Sequence, residues 1–488
     1  MRKTLRYAGR NGLAPAWYAA RERLRERMQP PYVYEAPDEE ALAAQRQAWA
    51  ALAAGRPVRE VFGAEASGGA GTVAAQGSGA YAAAAEASGD AEAESSAAQD
   101  SGAYAAAAES SGGSSRAAAP FFSLLVPAYE PGETFLRALI DSVLAQTYGG
   151  FELIIADAGE TDGTQETTLS YHDARIVYRR LPKNGGISAN TNAAAQFARG
   201  DYVALLDHDD LLTPDALYEA AAALVRTGAE ILYTDEDKCD GTGRRFFEPN
   251  RKPDFNLDYL LANNYICHLL VMKRGLFQAL GLRSEFDGAQ DYDLLLRAPK
   301  SSVVHVPKVL YHWRTHRGST AGNPASKDYA YEAGRAALVS YFAQRQIQAQ
   351  VEHAKHRGFY EVTYRPDIFT EREDVGVVGG KIVNRRRRIV GGLYDEDGGA
   401  LFLGMHEQES GPMHRADTVQ DAAAVDVRCM RIRPELYELY KSVFGVSYDT
   451  HVMLSSDGLK ELSLVFCRAA RKLGYRVVWD PRIVRMVG

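Results

Sequence analysis

The sequence predicts an α/β protein built on a mostly parallel sheet with helices on both faces, and three observations carry that prediction. Apolar runs of strand length alternate with helix-patterned segments from Phe121 onward, at βαβ spacing. Three of those runs break off in polar chemistry, at Tyr129 and Glu130, at Asp157, and at Asp207 and Asp209. Open α/β sheets bind ligands beyond the carboxyl ends of their strands. The chain is also long enough, at 488 residues, for two or three domains with their own cores.

Taken in order, residues 1–62 read as a basic helical arm. Leu5, Trp17, Tyr18 and Leu24 are interleaved with Arg2, Lys3, Arg6, Arg10, Arg21, Arg23 and Arg25. One reading is a segment drawn to an anionic membrane surface. The plainer one is a solvated helix docked on the rest of the chain, with Glu22 and Glu26 pairing to nearby arginines.

Residues 63–120 read as a low-complexity Ala/Gly/Ser linker. "AAQGSGAYAAAAEASG" from Ala74 recurs as "AAQDSGAYAAAAESSG" from Ala97. Such residues bury no core, and two copies make no solenoid. "GAGTVA", Gly69 to Ala74, imitates a dinucleotide-binding fingerprint but has neither the strand before it nor the patterned helix after it.

The α/β segment then runs through "FFSLLVPAYEP", "TFLRALIDSVLAQT", "FELIIADAGETDGT", "RIVYRRL", "ISANTNAAAQFARG" and "DYVALLDHDD". These read as strand, helix, strand, strand, helix closed by Gly200, and strand. In an extended segment Asp207 and Asp209 would share one side, with His208 and Asp210 on the other. Carboxylates crowded at one crevice require a compensating positive charge. A hard divalent cation held by oxygen ligands supplies it. The competing reading, turn and capping acids, is weakened by Thr213-Pro214, which reads as the N-cap and first residue of the next helix.

The net charge of -7 disfavours a nucleic-acid partner. Cys239, Cys267, Cys429 and Cys467 are scattered, without disulfide or zinc spacing, which suits a reducing cytoplasm. No apolar run approaches the roughly 20 residues of a membrane span. The expectation is a cytoplasmic protein, soluble or peripheral on the inner face of the cell membrane.

"LLVPAYEP", "IIADAGETDGT", "NGGISANTNAAAQFARGDYVALLDHDDLLTPDAL" and "GAQDYDLLLR" resemble, in order and spacing, the motifs of bacterial family 2 glycosyltransferases that assemble cell-surface polysaccharides. The likeness spans roughly 121–321. It implies the GT-A fold with its Rossmann-like mixed sheet, a nucleotide-diphosphate sugar donor, an Mg or Mn ion, inversion at the anomeric carbon, and a glycan or lipid-linked glycan acceptor. By the same resemblance Asp157 contacts the base, Asp207 lies near ribose and metal, Asp209 ligates the metal, and Asp291 is the general base. Tyr129, Glu130, Asn192 and Arg314 join the donor site, and His316 the metal, with His312 and Arg314 as alternatives in "YHWRTHRGSTA". Gln290 stands where the family usually has Glu, and Thr191 replaces an arginine often found beside Asn192. His268 falls on the acceptor side, with a core histidine as the plain alternative.

The expected organisation is a GT-A catalytic domain over 121–330, a connecting helix over 331–357, and a degenerate second GT-A-like module over 358–488. In that module "LSLVFCRAARKLGYRVVWDP" resembles the acceptor half of the family's domain, but Ser463 and Val465 occupy the acidic positions. The arginine run Arg385 to Arg388 reads as a solvated turn, with phosphate or lipid contact as the sharper alternative. A non-catalytic glycan- or nucleotide-binding protein and a nucleotidyltransferase are the rival functions. The intact acids argue against the first. The absence of a basic Gly-rich loop after the first strand argues against the second.

Overall fold

The computed structural model describes residues 2–63, 119–300, 302–316, 328–449 and 458–488. The linker expected over 63–120 therefore lies outside the described residues except at its ends.

The arm divides into α1 (Arg2–Asn11), α2 (Leu13–Met28), an extended stretch, α3 (Glu39–Ala53) and α4 (Val58–Val61). The first α/β domain opens with β1 (Phe122–Ala128), α5 (Glu133–Leu144), β2 (Phe151–Asp157), α6 (Gly163–Leu169), β3 (Ile176–Arg180), α7 (Ile187–Ala195) and β4 (Tyr202–Leu205). β1 pairs in parallel with β2 and β4, and β2 with β3. Alternation along β1 sends Leu125 to one face of the sheet and Leu124 and Val126 to the other, where each joins a separate buried cluster. On α5 the spacing of Leu136, Leu139, Ile140 and Val143 buries one stripe against the second of these clusters. Gly200 is required by close approach: a Cβ there would lie 2.7 Å from the Phe121 carbonyl oxygen.

The second half of the sheet is not parallel. β5 (Leu211–Leu212), α8 (Ala216–Thr227), β6 (Ile231–Asp240), β7 (Phe246–Asn250), α9 (Leu257–Leu260), β8 (Leu270–Lys273), α10 (Arg274–Leu280), α11 (Gln290–Arg297) and β9 (Val303–Thr315) follow. β8 lies antiparallel between β4 and β6, and β6 runs parallel to β9. The order is β3-β2-β1-β4-β8-β6-β9-β5, with β7 on β6. The sheet is therefore mixed, and the strand order reverses where β4 meets β1, opening a crevice at their carboxyl ends.

The connecting helix is α12 (Asp328–Gln344), but it does not extend to 357. β10 (Ala349–His353) and β11 (Tyr360–Tyr364) form a hairpin across the expected boundary. Val351, Tyr360 and Val362 pack with Leu338 and Phe342 of α12 into the first domain's core. That packing moves the boundary beyond Tyr364.

The C-terminal module contains α13 (Ile368–Glu371), β12 (Val375–Val383), β13 (Ile389–Gly391), β14 (Leu393–Tyr394), β15 (Gln420–Asp421), β16 (Ala424–Val425), β17 (Met430–Ile432), α14 (Tyr437–Phe444), α15 (Leu459–Lys472) and β18 (Arg476–Met486). Its sheet, β13-β12-β18-β15 with β17 on β12, has its own core around Trp479, Phe466 and Tyr440. Ser463, at one position where the resembled motif carries an acid, is buried. Its hydroxyl donates to Leu459 O and accepts from Val427 N, a packing role.

The arm docks on both domains, but Glu22 is engaged by backbone and not by the local arginine pairs expected of it. Arg21 and Arg25 of α2 pair with Glu409, and Glu22 accepts from the backbone N–H of Ser410 and Gly411. The extended stretch crosses to the first domain, where Tyr32 donates to Asp237 and Tyr34 packs edge-on to His312. On α3, Trp49 packs 4.5 Å from the Tyr148 ring. Among the described residues, no helix is long and apolar enough to cross a membrane.

Candidate active site

β4 ends at Leu205, and the chain then turns rather than continuing extended. The Asp210 N–H reaches back to the Asp207 carbonyl at 3.3 Å. The turn cancels the strand alternation expected of this stretch. Asp210, not Asp209, joins Asp207, and ligand atoms of Asp207, Asp210 and His268 all lie within 4.8 Å of one another. Leu211 and Leu212 form β5 against β9, so the next helix starts at Ala216, two residues later than Thr213-Pro214 suggests. Thr213 instead donates to Asp215 at 2.6 Å.

Asp210 is fully enclosed. It accepts from Tyr311 Oη at 2.5 Å and from the Arg314 N–H at 2.7 Å. Desolvation pushes its carboxyl well above the usual range, and Asp207 and Asp209 add to the shift. Asp207 keeps 40% of its side chain open to the crevice. Desolvation raises it as well, opposed by His268 and reinforced by Asp209 and, more weakly, Asp291.

His268 supplies resident positive charge. Its ring stacks on Tyr311 at 4.7 Å, Nδ1 lies 3.2 Å from Glu236, and Nε2 lies 3.7 Å from Asp207. Burial opposes its protonation. The Glu236 hydrogen bond and the surrounding carboxylates outweigh that and hold it at about 9. Burial likewise opposes the Glu236 charge, but Lys252 and His268 bring its carboxyl down to about 2. Lys252 is itself buried, its Nζ donating to the carbonyls of Ile266 and His268. Of this group His268 and Asp210 are legible in the sequence, Asp210 as part of the acidic stretch but on the wrong side; Glu236 and Lys252 give no motif signal.

Asp209 and His316 meet directly, Oδ2 to Nε2 at 2.8 Å, with the His316 ring 4.5 Å from Phe135. His312 sits elsewhere, its Nδ1 2.6 Å from Asp237 under Tyr34 and Phe246. Asp291 lies in the first turn of α11, where its Oδ2 accepts from Asn264 at 2.9 Å.

The remaining predicted donor residues are more occupied than the sequence suggests. Asp157 is buried and accepts from Tyr178, Arg180 and the Gly159 N–H. Glu130 accepts from the Glu160 and Thr161 N–H groups and the Thr161 hydroxyl, fixing the loop after β2. These hydrogen bonds hold its carboxyl below the usual range. Beside it lies a cavity of about 360 Å³ reaching Thr164 and Thr167, and Tyr129 is exposed. The Asn192 carboxamide is taken up by backbone, donating to Leu282 O and accepting from Leu282 N. Arg314 is buried behind Asp210, under Phe135. One Nη reaches Gly241 O, and its Nε and other Nη have no partner among the described residues.

The model of the family described as Glycosyl transferase family 2 matches residues 123–281, which hold β1 through α10 and the Asp207 turn. An uncharacterized glycosyltransferase of Rickettsia typhi, RT0329, is 30% identical over 226 residues, covering 44% of this chain and 70% of that protein. The chain belongs to the family 2 glycosyltransferases. Two further relatives are longer proteins. The uncharacterized protein y4gI of Sinorhizobium fredii is 43% identical over 236 residues, covering 46% of this chain and 26% of its own. The O-antigen biosynthesis protein RfbC of Myxococcus xanthus is 35% identical over 271 residues, covering 52% of this chain and 21% of its own. The family 2 chain thus spans about a quarter of the length of these two relatives.

Proposed function

We propose that this family 2 chain moves a sugar from a nucleotide-diphosphate donor to a hydroxyl of a lipid-linked or growing cell-surface glycan, at the cytoplasmic face of the membrane. The observation that carries the reading is the crevice where the strand order reverses: Asp207 lies there with Asp210 and His268, and the charges of Asp209, itself paired to His316, and of Asp291 reach Asp207. The O-antigen name of the M. xanthus relative supports the acceptor class.

The donor set fits a divalent cation, Mg or Mn. Asp209 and His316 bring a carboxylate and an imidazole together at 2.8 Å, and Asp207 adds a second, open carboxylate. When bound, such an ion would stabilise charge developing on the departing diphosphate. The chain's own residues would do the rest. Asp291, oriented by Asn264, would accept the acceptor's hydroxyl proton as that oxygen attacks the anomeric carbon with inversion. His268 would keep the Asp207–Asp210 pair from repelling the diphosphate before the ion arrives. Asp157, held by Tyr178 and Arg180, would form the base end of the donor site.

The test is a panel of nucleotide sugars read by nucleotide release, with and without Mn²⁺, for the wild-type chain and Asp209→Ala. Metal-dependent release from one donor, lost in the variant, is expected. Binding of a donor without turnover under any condition would favour a non-catalytic binding protein instead.

A further inference from the structure

The outward side of α2 carries an apolar stripe that none of the described residues covers. Leu13, Trp17, Leu24 and Met28 are 83%, 57%, 59% and 79% exposed. At 100° per residue they fall within ~60° of arc on one side of the helix. The opposite side is docked through Tyr18 and Glu22, so the stripe is a second face and not a frayed core. Exposed apolar residues scattered singly mean little, but four aligned on one helix mark an interaction surface.

The structure also brings a second element beside it. Trp17 packs edge-on to Tyr18 at 4.8 Å, and Tyr18 stacks on His406 at 4.0 Å. His406 is bridged through the backbone to Arg388. The arginine run, more than 350 residues along the chain, thus lies two ring contacts from the stripe. Arg385 to Arg388 occupy the exposed turn between β12 and β13, which closes by hydrogen bonds to Asn384. Arg387 pairs with Glu407, while Arg385 and Arg386 have no ion-pair partner among the described residues. Leu403, 54% exposed, adjoins the turn, where Arg388 donates to Gly404 O. On the helix, Arg27 is exposed without an ion pair among the described residues, and the facing acid Glu409 is already neutralised by Arg21 and Arg25. Glu26 is the exposed acid on α2.

We propose that the outer stripe of α2 and the Arg385–Arg388 turn form one docking surface for an anionic phospholipid bilayer. The chemistry is complementary in both parts. Leucine, tryptophan and methionine side chains enter the boundary between headgroups and acyl chains, and arginine forks hold the phosphates around them. A protein partner or a second copy would need only the stripe, whereas uncompensated arginines beside it favour a negatively charged surface. The inference goes beyond the transfer reaction and does not depend on it.

Flotation with vesicles of phosphatidylcholine alone, and with phosphatidylglycerol added, tests the surface on the full chain. The protein should float with the anionic vesicles and not the neutral ones. Arg385→Ala with Arg386→Ala should weaken binding roughly thirtyfold, the effect of two charges near the surface. Trp17→Ser with Leu24→Ser should abolish it. Unchanged thermal melting would show that both variants are folded. Equal flotation with neutral vesicles, no flotation with either, or full binding by both variants would overturn the proposal. So would a dimer seen by light scattering and dissolved by the Trp17 and Leu24 changes, since a second copy would then cover the stripe. Nucleotide release in solution reports the reaction separately, so failure of either reading leaves the other standing.

Discussion

His316 Nε2 lies 2.8 Å from Asp209 Oδ2, joining the turn after β4 to the end of β9 across 107 residues. If the two hold the proposed divalent ion together, loss of either should be felt through that ion. Asp209→Ala is expected to abolish Mn²⁺-dependent nucleotide release. His316→Ala should raise the Mn²⁺ concentration for half-maximal release by tenfold or more, since even outer partners of a metal contribute about tenfold. A Mn²⁺ titration of release checks both, and an unshifted midpoint in His316→Ala would remove it from the metal site.

Asp291 faces an amide, where Asp207 and Asp209 each face a histidine. If its role is to take a proton, Asp291→Asn keeps shape and hydrogen bonding while losing basicity. Donor affinity by calorimetry should stay within a few-fold of wild type, and transfer should fall by roughly 100- to 10,000-fold. Undiminished transfer would assign the base elsewhere.

Much of this site was legible because its residues sit at strand ends, where an apolar run stopping in a carboxylate is visible in one dimension. Asp207 and Asp209 read that way, while Asp291, in the first turn of α11, and His316 are implied by the resemblance alone. The errors share a physical cause. Strand alternation was carried past Leu205 into residues that turn, so Asp210 was placed opposite Asp207 when it lies beside it. Asn192 was assigned to a ligand because a polar side chain on a helix near the site has no visible partner in sequence, while the Leu282 backbone waits 90 residues away. A mixed sheet is what the resemblance implies, but which strand runs antiparallel is not legible in one dimension, since β8 inserts between β4 and β6 and only pairing reveals it.

The buried Glu236–Lys252 pair, 3.4 Å apart, carries a stability prediction. Lys252→Met leaves a buried carboxylate with His268 as its remaining cationic neighbour and is expected to cost about 3–5 kcal/mol. Removing both charges, as Lys252→Met with Glu236→Leu, should recover part of that loss while still depressing activity, because His268 loses its Nδ1 partner. Urea unfolding of the two variants distinguishes an unpaired charge from lost packing: a double variant no more stable than the single would favour packing.

The junction between arm, hairpin and C-terminal module should respond to acid through His414. Its ring stacks on His356 at 3.7 Å and meets Phe359 edge-on, with Asp417, Lys355 and Arg23 around it. Burial brings it down to about 4, the His356, Lys355 and Arg23 charges pull the same way, and Asp417 opposes them. The neutral ring is thus the folded form, while the unfolded chain takes up the proton near the ordinary 6.5. A lowered folded value means stability present above 6.5 and lost as the pH falls toward 4. Between pH 7 and pH 5 the loss from this one group is about 2 kcal/mol at most. His414 has a φ of 58°, a conformation that Asn tolerates, so His414→Asn removes the titration without adding backbone strain. Denaturation midpoints at the two pH values should converge in that variant. An acid sensitivity equal to wild type would assign the effect to another group at the junction.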